Sequence, residues 1–369
     1  MTPAADLVRQ EIERRGPMDF ARFVDLALYH PDHGYYSQST PRRGKTGDYF
    51  TSMQVSGLFP KIFAEAILQL KETLASEQFS LIEIGAGGGE FLEAVLQHVK
   101  PNSMKVWAVE RSRPARDALR KRLSRFPRCE VVASFDEIEW MGSLEGCIFS
   151  NELFDALPFH RLKWRGGEWR EVMVDLVNGN LIEKEGKAKV ENGNWKIEIG
   201  DLTDGHEITW RPDVPSLYEE WGARLSRGYV LTVDYGHPRE AFFSPTRANG
   251  AWLCYHKHQA NKTPFENIGA QDITAHVDFT QLVEAGGSHG FDPGLFCSQG
   301  IFLSHVGQKH IEAWLSTASE SERRSRAAAI QQLIHPDAMG EAFWVLLQSK
   351  GVEIPASFAV MPNRLRRLV

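Results

Sequence analysis

The chain has 369 residues, 42% hydrophobic and 24% charged, a globular composition with room for one large domain with insertions or for two. A net charge of -6 leaves no overall basic field to hold nucleic acid by its phosphates, and no apolar stretch nears the roughly 20 residues of a membrane span. Cys129, Cys147, Cys254 and Cys297 are scattered like reduced thiols, and the charged N-terminus is interrupted by Asp6, Glu11 and Glu13, so a cytoplasmic protein without nucleic-acid partners or membrane insertion is expected.

Along residues 4–30, apolar positions from Leu7 to Ala27 recur at three- and four-residue steps, which predicts helix. Ser39–Ser52 is a polar, glycine-punctuated loop, too long for a mere connector, and a helix is predicted over Leu58–Leu74. Short apolar runs then alternate with helical segments. FSLIEIG, KVWAVER, CEVVAS and GCIFSNE read as strands, with EFLEAVLQHV and RPARDALRKRLSRF as helices after the first two. Such alternation implies an α/β fold with a Rossmann-like parallel sheet.

Between Phe159 and Asp213 the apolar period becomes two, around Asn178-Gly179 and Asn192-Gly193. Asn-Gly flanked by alternating residues is a strong hairpin signal, so an antiparallel β insertion after strand four is expected. A helix over Ser216–Ser226 leads into a fifth strand, GYVLTVDYG. The C-terminal third should hold a loop rich in His and aromatic residues, a helix near DFTQLVEAGG, and closing helices around Ile311 and Glu341–Leu347. The expected organisation is a helical N-terminal cap with a lid loop over 1–75 and an α/β domain over 76–369. That domain carries the insertion at about 159–213 and C-terminal helices over about 308–369.

The first strand runs into SLIEIGAGGGEFLEAVL, residues Ser80–Leu96. Gly85 and Gly87 match the dinucleotide fingerprint GxGxxG, but its third position is Glu90 and the glycine arrives one residue early, at Gly89. Glu83-x-Gly85-x-Gly87-x-Gly89 is instead the pattern of Rossmann-like S-adenosylmethionine-dependent methyltransferases, in which the chain passes against the methionine and ribose of the cofactor. The acids agree. Glu83 stands where a carboxylate meets the cofactor's ammonium, and Glu110, 25 residues after Gly85, where one accepts from both ribose hydroxyls. Asp136, after the third strand, is placed for the adenine amino group. A nicotinamide dinucleotide is the alternative ligand.

Ligands of open parallel sheets bind outside the carboxyl ends of the strands, so Asn151 and Glu152 after strand four face the reactive end of the cofactor. Glu152 and Asp155, three apart, suggest a cationic acceptor such as a guanidinium, with Asp234 and Tyr235 beside it at the end of strand five. The bland alternative is that Asp155 caps the next turn and Glu152 pairs with a local Arg such as Arg161. His276 and Asp278 either position the acceptor or tie a loop to the sheet, while Tyr35, Tyr36, Tyr49 and Phe50 are expected in the lid. No metal is expected, because the histidines show neither HExxH nor paired Cys/His spacing.

These motifs, with HPDHGYY, GDYFTS, NELFDALPFH, VDYGH, DITAHVDF, SQGIFL and MGEAFWVL, resemble in order and over nearly the whole chain the MidA family of S-adenosylmethionine-dependent methyltransferases. Its mitochondrial members are complex I assembly factors described as protein arginine methyltransferases. The glycine loop reads GAGGG where that family more usually has GPGRG. The resemblance implies that Gly47, Asp48 and Tyr49 lie over the cofactor and that NELFDALP and HVDF line the acceptor side. It implies methyl transfer to an arginine of a partner protein, a respiratory complex I subunit. The alternatives are an assembly factor that binds the cofactor without catalysis, or a methyltransferase with a small-molecule acceptor. A homodimer is left open.

Overall fold

The computed structural model describes residues 2–38, 55–100, 103–139, 143–188 and 202–368. The chain divides into two compact units that interleave in sequence. A core unit comprises Phe50–Leu153, Leu217–Gly236 and Leu282–Val369, and an accessory unit Met1–Tyr49, Phe154–Ser216 and His237–Gln281.

The core unit is built on a sheet with strand order Asp292–Ser298, Phe343–Lys350, Leu225–His237, Leu144–Asn151, Ser80–Ile84, Lys105–Val109, Cys129–Val132. The first five of these in chain order are parallel; Phe343–Lys350 runs antiparallel between Leu225–His237 and Asp292–Ser298, so the edge strand Asp292–Ser298 again points the same way as the five. Ser80–Ile84 is buried at every position, which is why it reads as an unbroken apolar run rather than an alternating one. Helices Leu58–Leu74 and Glu90–His98 cover the sheet, with Phe91 stacked on Phe149 at 4.1 Å and Phe63 on Phe302 at 5.0 Å. Each such buried ring contributes about 1.5–3 kcal/mol. The direction in which successive strands are added reverses between Ser80–Ile84 and Leu144–Asn151. That reversal opens a crevice at the carboxyl ends of these two neighbours.

One expectation fails here. Glu341–Leu347, read as a closing helix, belongs to the strand Phe343–Lys350, which lies between two antiparallel partners and is buried over all but its last residue. A short apolar run cannot be assigned by periodicity alone, and pairing across both edges decides for strand. The strand Asp292–Ser298 carried no clear alternation, since Pro293 and Gly294 interrupt it at a register shift.

In the accessory unit the helical 4–30 segment is two helices. Pro3–Arg15 ends at Gly16, and Phe20–Tyr29 is capped by Asp19, whose Oδ1 accepts from Arg22 N–H at 2.8 Å. The expected antiparallel insertion is present: Met18–Asp19, Glu168–Val177, His160–Arg165 and Glu207–Trp210 pair in that order, and Asn180–Lys187 pairs with Glu168–Val177. Asn178 and Gly179 form its turn at φ 50° and 77°, as the Asn-Gly signal requires. The second Asn-Gly pair, Asn192-Gly193, lies outside the described residues. A further sheet of Gln259–Asn261, Trp252–His256 and Asp272–Ala275 completes the unit around Phe20, Phe159 and Trp252. Among the described residues no helix is long and apolar enough to cross a membrane. Cys147, Cys254 and Cys297 are buried free thiols and Cys129 is half-buried.

Candidate active site

The carboxyl edge of the core sheet collects most of the acids singled out in the sequence. Glu83, next to last in its strand, is 5% exposed. The chain then leaves the strand with Gly85 at φ +74°, and the Gly85 and Ala86 N–H groups donate to Val109 O at 2.9 and 3.1 Å, tying the loop to the second strand. A Cβ on Gly85 would fall 3.0 Å from Leu153 Cδ1, so a side chain would crowd the crevice as well as strain the backbone. Glu110 ends the second strand with its carboxylate spread between two amides. Oε2 accepts from Gly87 N–H at 2.8 Å and Oε1 from Ser112 N–H at 2.7 Å. A carboxylate offers about four lone-pair sites, so two oxygens so fixed still have capacity for two more donors.

Strand four ends in Asn151, paired in register with Val233 of strand five. Asn151 Nδ2 donates to Glu152 Oε1 at 3.2 Å, while its buried Oδ1 accepts no hydrogen bond among the described residues. Glu152 has φ +51°, a left-handed conformation costing a non-glycine residue about 1–2 kcal/mol, and is pinned by its N–H to Val233 O at 2.9 Å. The sequence carried no sign of that strain. Asp234 is fully buried on strand five, with Oδ1 accepting from Tyr235 N–H at 2.9 Å, and the Tyr235 ring meets Phe343 edge-on at 5.6 Å. Asp136 is exposed, and a hydrogen bond from Ser134 holds its carboxyl below the usual range.

Other residues singled out in the sequence belong to the accessory unit, since the division falls between Leu153 and Phe154. Asp155 is buried and its carbonyl accepts from Ala275 N–H at 3.0 Å. Arg161, offered as a partner for Glu152, is instead engaged by Glu207 at 2.7 and 3.0 Å and by Glu183 at 2.5 Å, between the rings of Phe20 and Trp252. Asp278 caps the helix Phe279–Ser288, accepting from Thr280 N–H at 2.9 Å, and bridges to Arg239 at 2.8 Å. His276 Nδ1 lies 3.1 Å from His237 Nε2. Burial, with Arg247, Arg211 and Lys262 nearby, pushes the His276 imidazole down to about 4.

Tyr35 and Tyr36, expected in a lid, are packed into this unit. Tyr35 is buried, and the Tyr36 hydroxyl donates to Asp272 at 2.8 Å. Gly47, Asp48, Tyr49 and Phe50 lie outside the described residues. Arg211, passed over in the sequence, is 1% exposed and donates to the carbonyls of Phe154, Asp155, Ala275 and His276. It thereby joins Phe154–Asp155 to Ala275–His276 within the accessory unit. A lone Arg before Pro212 gives no local sign of that role.

Comparison with known proteins agrees with the cofactor class read from the glycine loop. The chain is 24% identical to "Protein arginine methyltransferase NDUFAF7 homolog, mitochondrial" of Drosophila melanogaster, across 94% of this chain and 85% of that protein. It is 25% identical to "Protein arginine methyltransferase NDUFAF7, mitochondrial" of Danio rerio, across 89% and 82%. A crystal structure of a COG1565 superfamily member from Burkholderia thailandensis bound to S-adenosyl-homocysteine superposes with a TM-score of 0.88. It is 26% identical over 98% of this chain and 96% of the other. The Drosophila melanogaster and Danio rerio relatives are named as mitochondrial proteins, which overturns the cytoplasmic expectation. That expectation rested on the composition of the N-terminus, which is weak evidence for compartment. The family described as "Putative S-adenosyl-L-methionine-dependent methyltransferase" matches residues 62–296, from the helix before the first strand to the antiparallel edge of the sheet. With its cofactor loop and sheet order in place, the chain belongs to this family of S-adenosylmethionine-dependent methyltransferases.

Proposed function

We propose that the protein transfers the methyl group of S-adenosylmethionine to a guanidinium nitrogen of an arginine in a partner protein. One observation carries this reading: Glu152, held in a left-handed conformation after strand four, lies next to strand five, whose buried Asp234 follows Val233. Neighbouring strands are about 4.8 Å apart, so two acidic residues stand at the carboxyl ends of adjacent strands, a pair suited to bind a cationic acceptor. A carboxylate is the natural bidentate partner of a guanidinium, and gathering its charge on one side leaves the opposite nitrogen more nucleophilic. The relatives named as protein arginine methyltransferases support the same acceptor.

The residues fit the cofactor. Gly85 leaves room where a side chain would stand, Glu110 has lone pairs for two ribose hydroxyls, and the buried Asn151 Oδ1 has capacity for a donor. Glu83 would meet the ammonium and Asp136 the adenine amino group. The bound cofactor supplies an electrophilic methyl on a good leaving group. What remains for the protein is alignment and charge.

The resemblance to the MidA family, whose mitochondrial members are complex I assembly factors, supports a respiratory-complex subunit as the acceptor. A carrier without catalysis would have no use for strain at Glu152, which disfavours the assembly-only reading. The test is to incubate the protein with labelled S-adenosylmethionine and a mitochondrial extract and map the label by mass spectrometry. Label on arginine of one polypeptide is expected; label only on a small molecule would reject the reading.

A further inference from the structure

We propose that Glu65, His98 and His310 form a binding site for a divalent transition-metal ion, zinc being the ion that this donor set suits. The three come from three helices of the core unit: Leu58–Leu74, Glu90–His98 and Gln299–Ser316. A close helix crossing brings them together. Gly307 has no side chain where it meets Ile62, and a Cβ there would fall 2.3 Å from Ile62 Cδ1. Glu65 and His310 each stand three residues beyond that contact, on the same helix faces, so the crossing that joins Ile62 to Gly307 also joins them. His98, the last residue of its helix, closes the group.

The donor atoms all lie within 4.8 Å of one another, with Glu65 Oε2 3.7 Å from His310 Nε2 and the two imidazole centroids 5.3 Å apart. Ligands about 2.0–2.1 Å from a tetrahedral zinc are about 3.3 Å apart, so small side-chain rotations suffice. Glu65 is already oriented, since Gln69 Nε2 donates to its Oε1 at 3.2 Å and Oε2 is the oxygen nearer His310. The site is open to solvent, leaving a fourth position for water and a path of entry. Its place at a helix C-terminus, where the backbone dipole is negative, favours a cation.

The group lies at the far end of Glu90–His98 from the glycine loop, about 13 Å along the axis. An ion there clamps three helices and does not touch the methyl donor. A second cluster, Asp19, His160 and Glu171, lacks these features. Asp19 is spent on capping a helix, and Glu171 is fully buried against His160 at 2.6 Å.

The test uses the full chain, stripped with a chelator and titrated with zinc by calorimetry. Cobalt substitution reads the coordination through its visible absorption. One equivalent should bind with roughly micromolar affinity or better, raise the unfolding temperature, and give the intense band of a tetrahedral cobalt site. His98→Ala, at an exposed position, and Glu65→Gln should each weaken binding at least about tenfold, abolish the thermal shift, and leave S-adenosylmethionine affinity unchanged. Absence of saturable uptake by the unaltered chain, or uptake that both variants retain, overturns the proposal.

Discussion

Gly87 donates its backbone N–H to Oε2 of Glu110 at 2.8 Å, so the glycine loop after the first strand and the acid that ends the second are one hydrogen-bonded unit. Ser112 N–H holds the other oxygen at 2.7 Å. The carboxylate is therefore already oriented for the ribose role proposed for it, and its removal releases the loop from the second strand's acid.

Glu110→Ala is expected to weaken S-adenosylmethionine binding by about 1–3 kcal/mol, roughly five- to 150-fold in Kd, the range for unmade hydrogen bonds to a charged acceptor. Glu110→Gln should fall between, because one acceptor oxygen survives while the amide's N–H groups face other donors. Calorimetry on both variants reads this directly. An unchanged Kd in Glu110→Ala would remove the residue from the cofactor site.

Substitutions at Glu152 test the proposed chemistry apart from folding. Glu152→Gln should abolish methyl transfer and leave cofactor affinity nearly intact. Glu152→Gly should also be inactive, yet it relieves a left-handed residue at φ +51° and so should be as stable or more stable, by up to about 1 kcal/mol. Turnover that survives either change would count against the role, and a Glu152→Gly chain markedly less stable would count against the strain.

What was legible in the chain was whatever a local pattern controls. The strand-loop-helix at Ser80–His98 announces itself because an apolar run meets glycines that a tight turn demands, and Asn178-Gly179 because its turn needs positive φ twice. Phe343–Lys350 was not legible. Its neighbours in the sheet are Asp292–Ser298 and Leu225–His237, and only pairing with them separates it from a buried helix. The same limit hid Arg211, whose acceptors stand 56 to 65 residues away in sequence, and the grouping of Glu65 with His98 and His310. Asp278 shows the converse case: its sequence context allowed either acceptor positioning or a structural tie, and its oxygens are engaged by a helix N-terminus and by Arg239.

Two glycines test the backbone in opposite directions. At Gly89, φ is +80° and a Cβ would fall 2.6 Å from Cδ2 of the fully buried Leu119, so Gly89→Ala should cost about 1–3 kcal/mol and disturb the loop. Gly287 lies inside the helix Phe279–Ser288 with nothing near the added atom, so Gly287→Ala should stabilise by about 0.5–1 kcal/mol. Urea unfolding of both should give shifts of opposite sign; the same sign would refute the local reading.

Arg211 donates to carbonyls on two accessory segments, and a lysine cannot reproduce its planar fork. Arg211→Lys leaves buried carbonyls without donors and should lower the unfolding free energy by about 3 kcal/mol, each orphaned group costing about 1–3. A loss under about 1 kcal/mol by urea titration would show that the fork is dispensable.

His276 supplies a pH dependence whose sign follows from its surroundings. Burial, Arg247, Arg211 and Lys262 lower its folded value from 6.5 to about 4, and His237 sits 3.1 Å from its Nδ1. The unfolded chain therefore binds a proton that the folded chain refuses, so stability is complete above pH 6.5 and is lost as the pH falls toward 4. The loss attributable to this one group is on the order of 3 kcal/mol across that window. Below pH 4 both states are protonated and its contribution levels off. His276→Gln cannot titrate, and its unfolding free energy should fall less steeply over the same range. Equal slopes in the two proteins would mean that His276 takes up its proton as readily when folded as when unfolded.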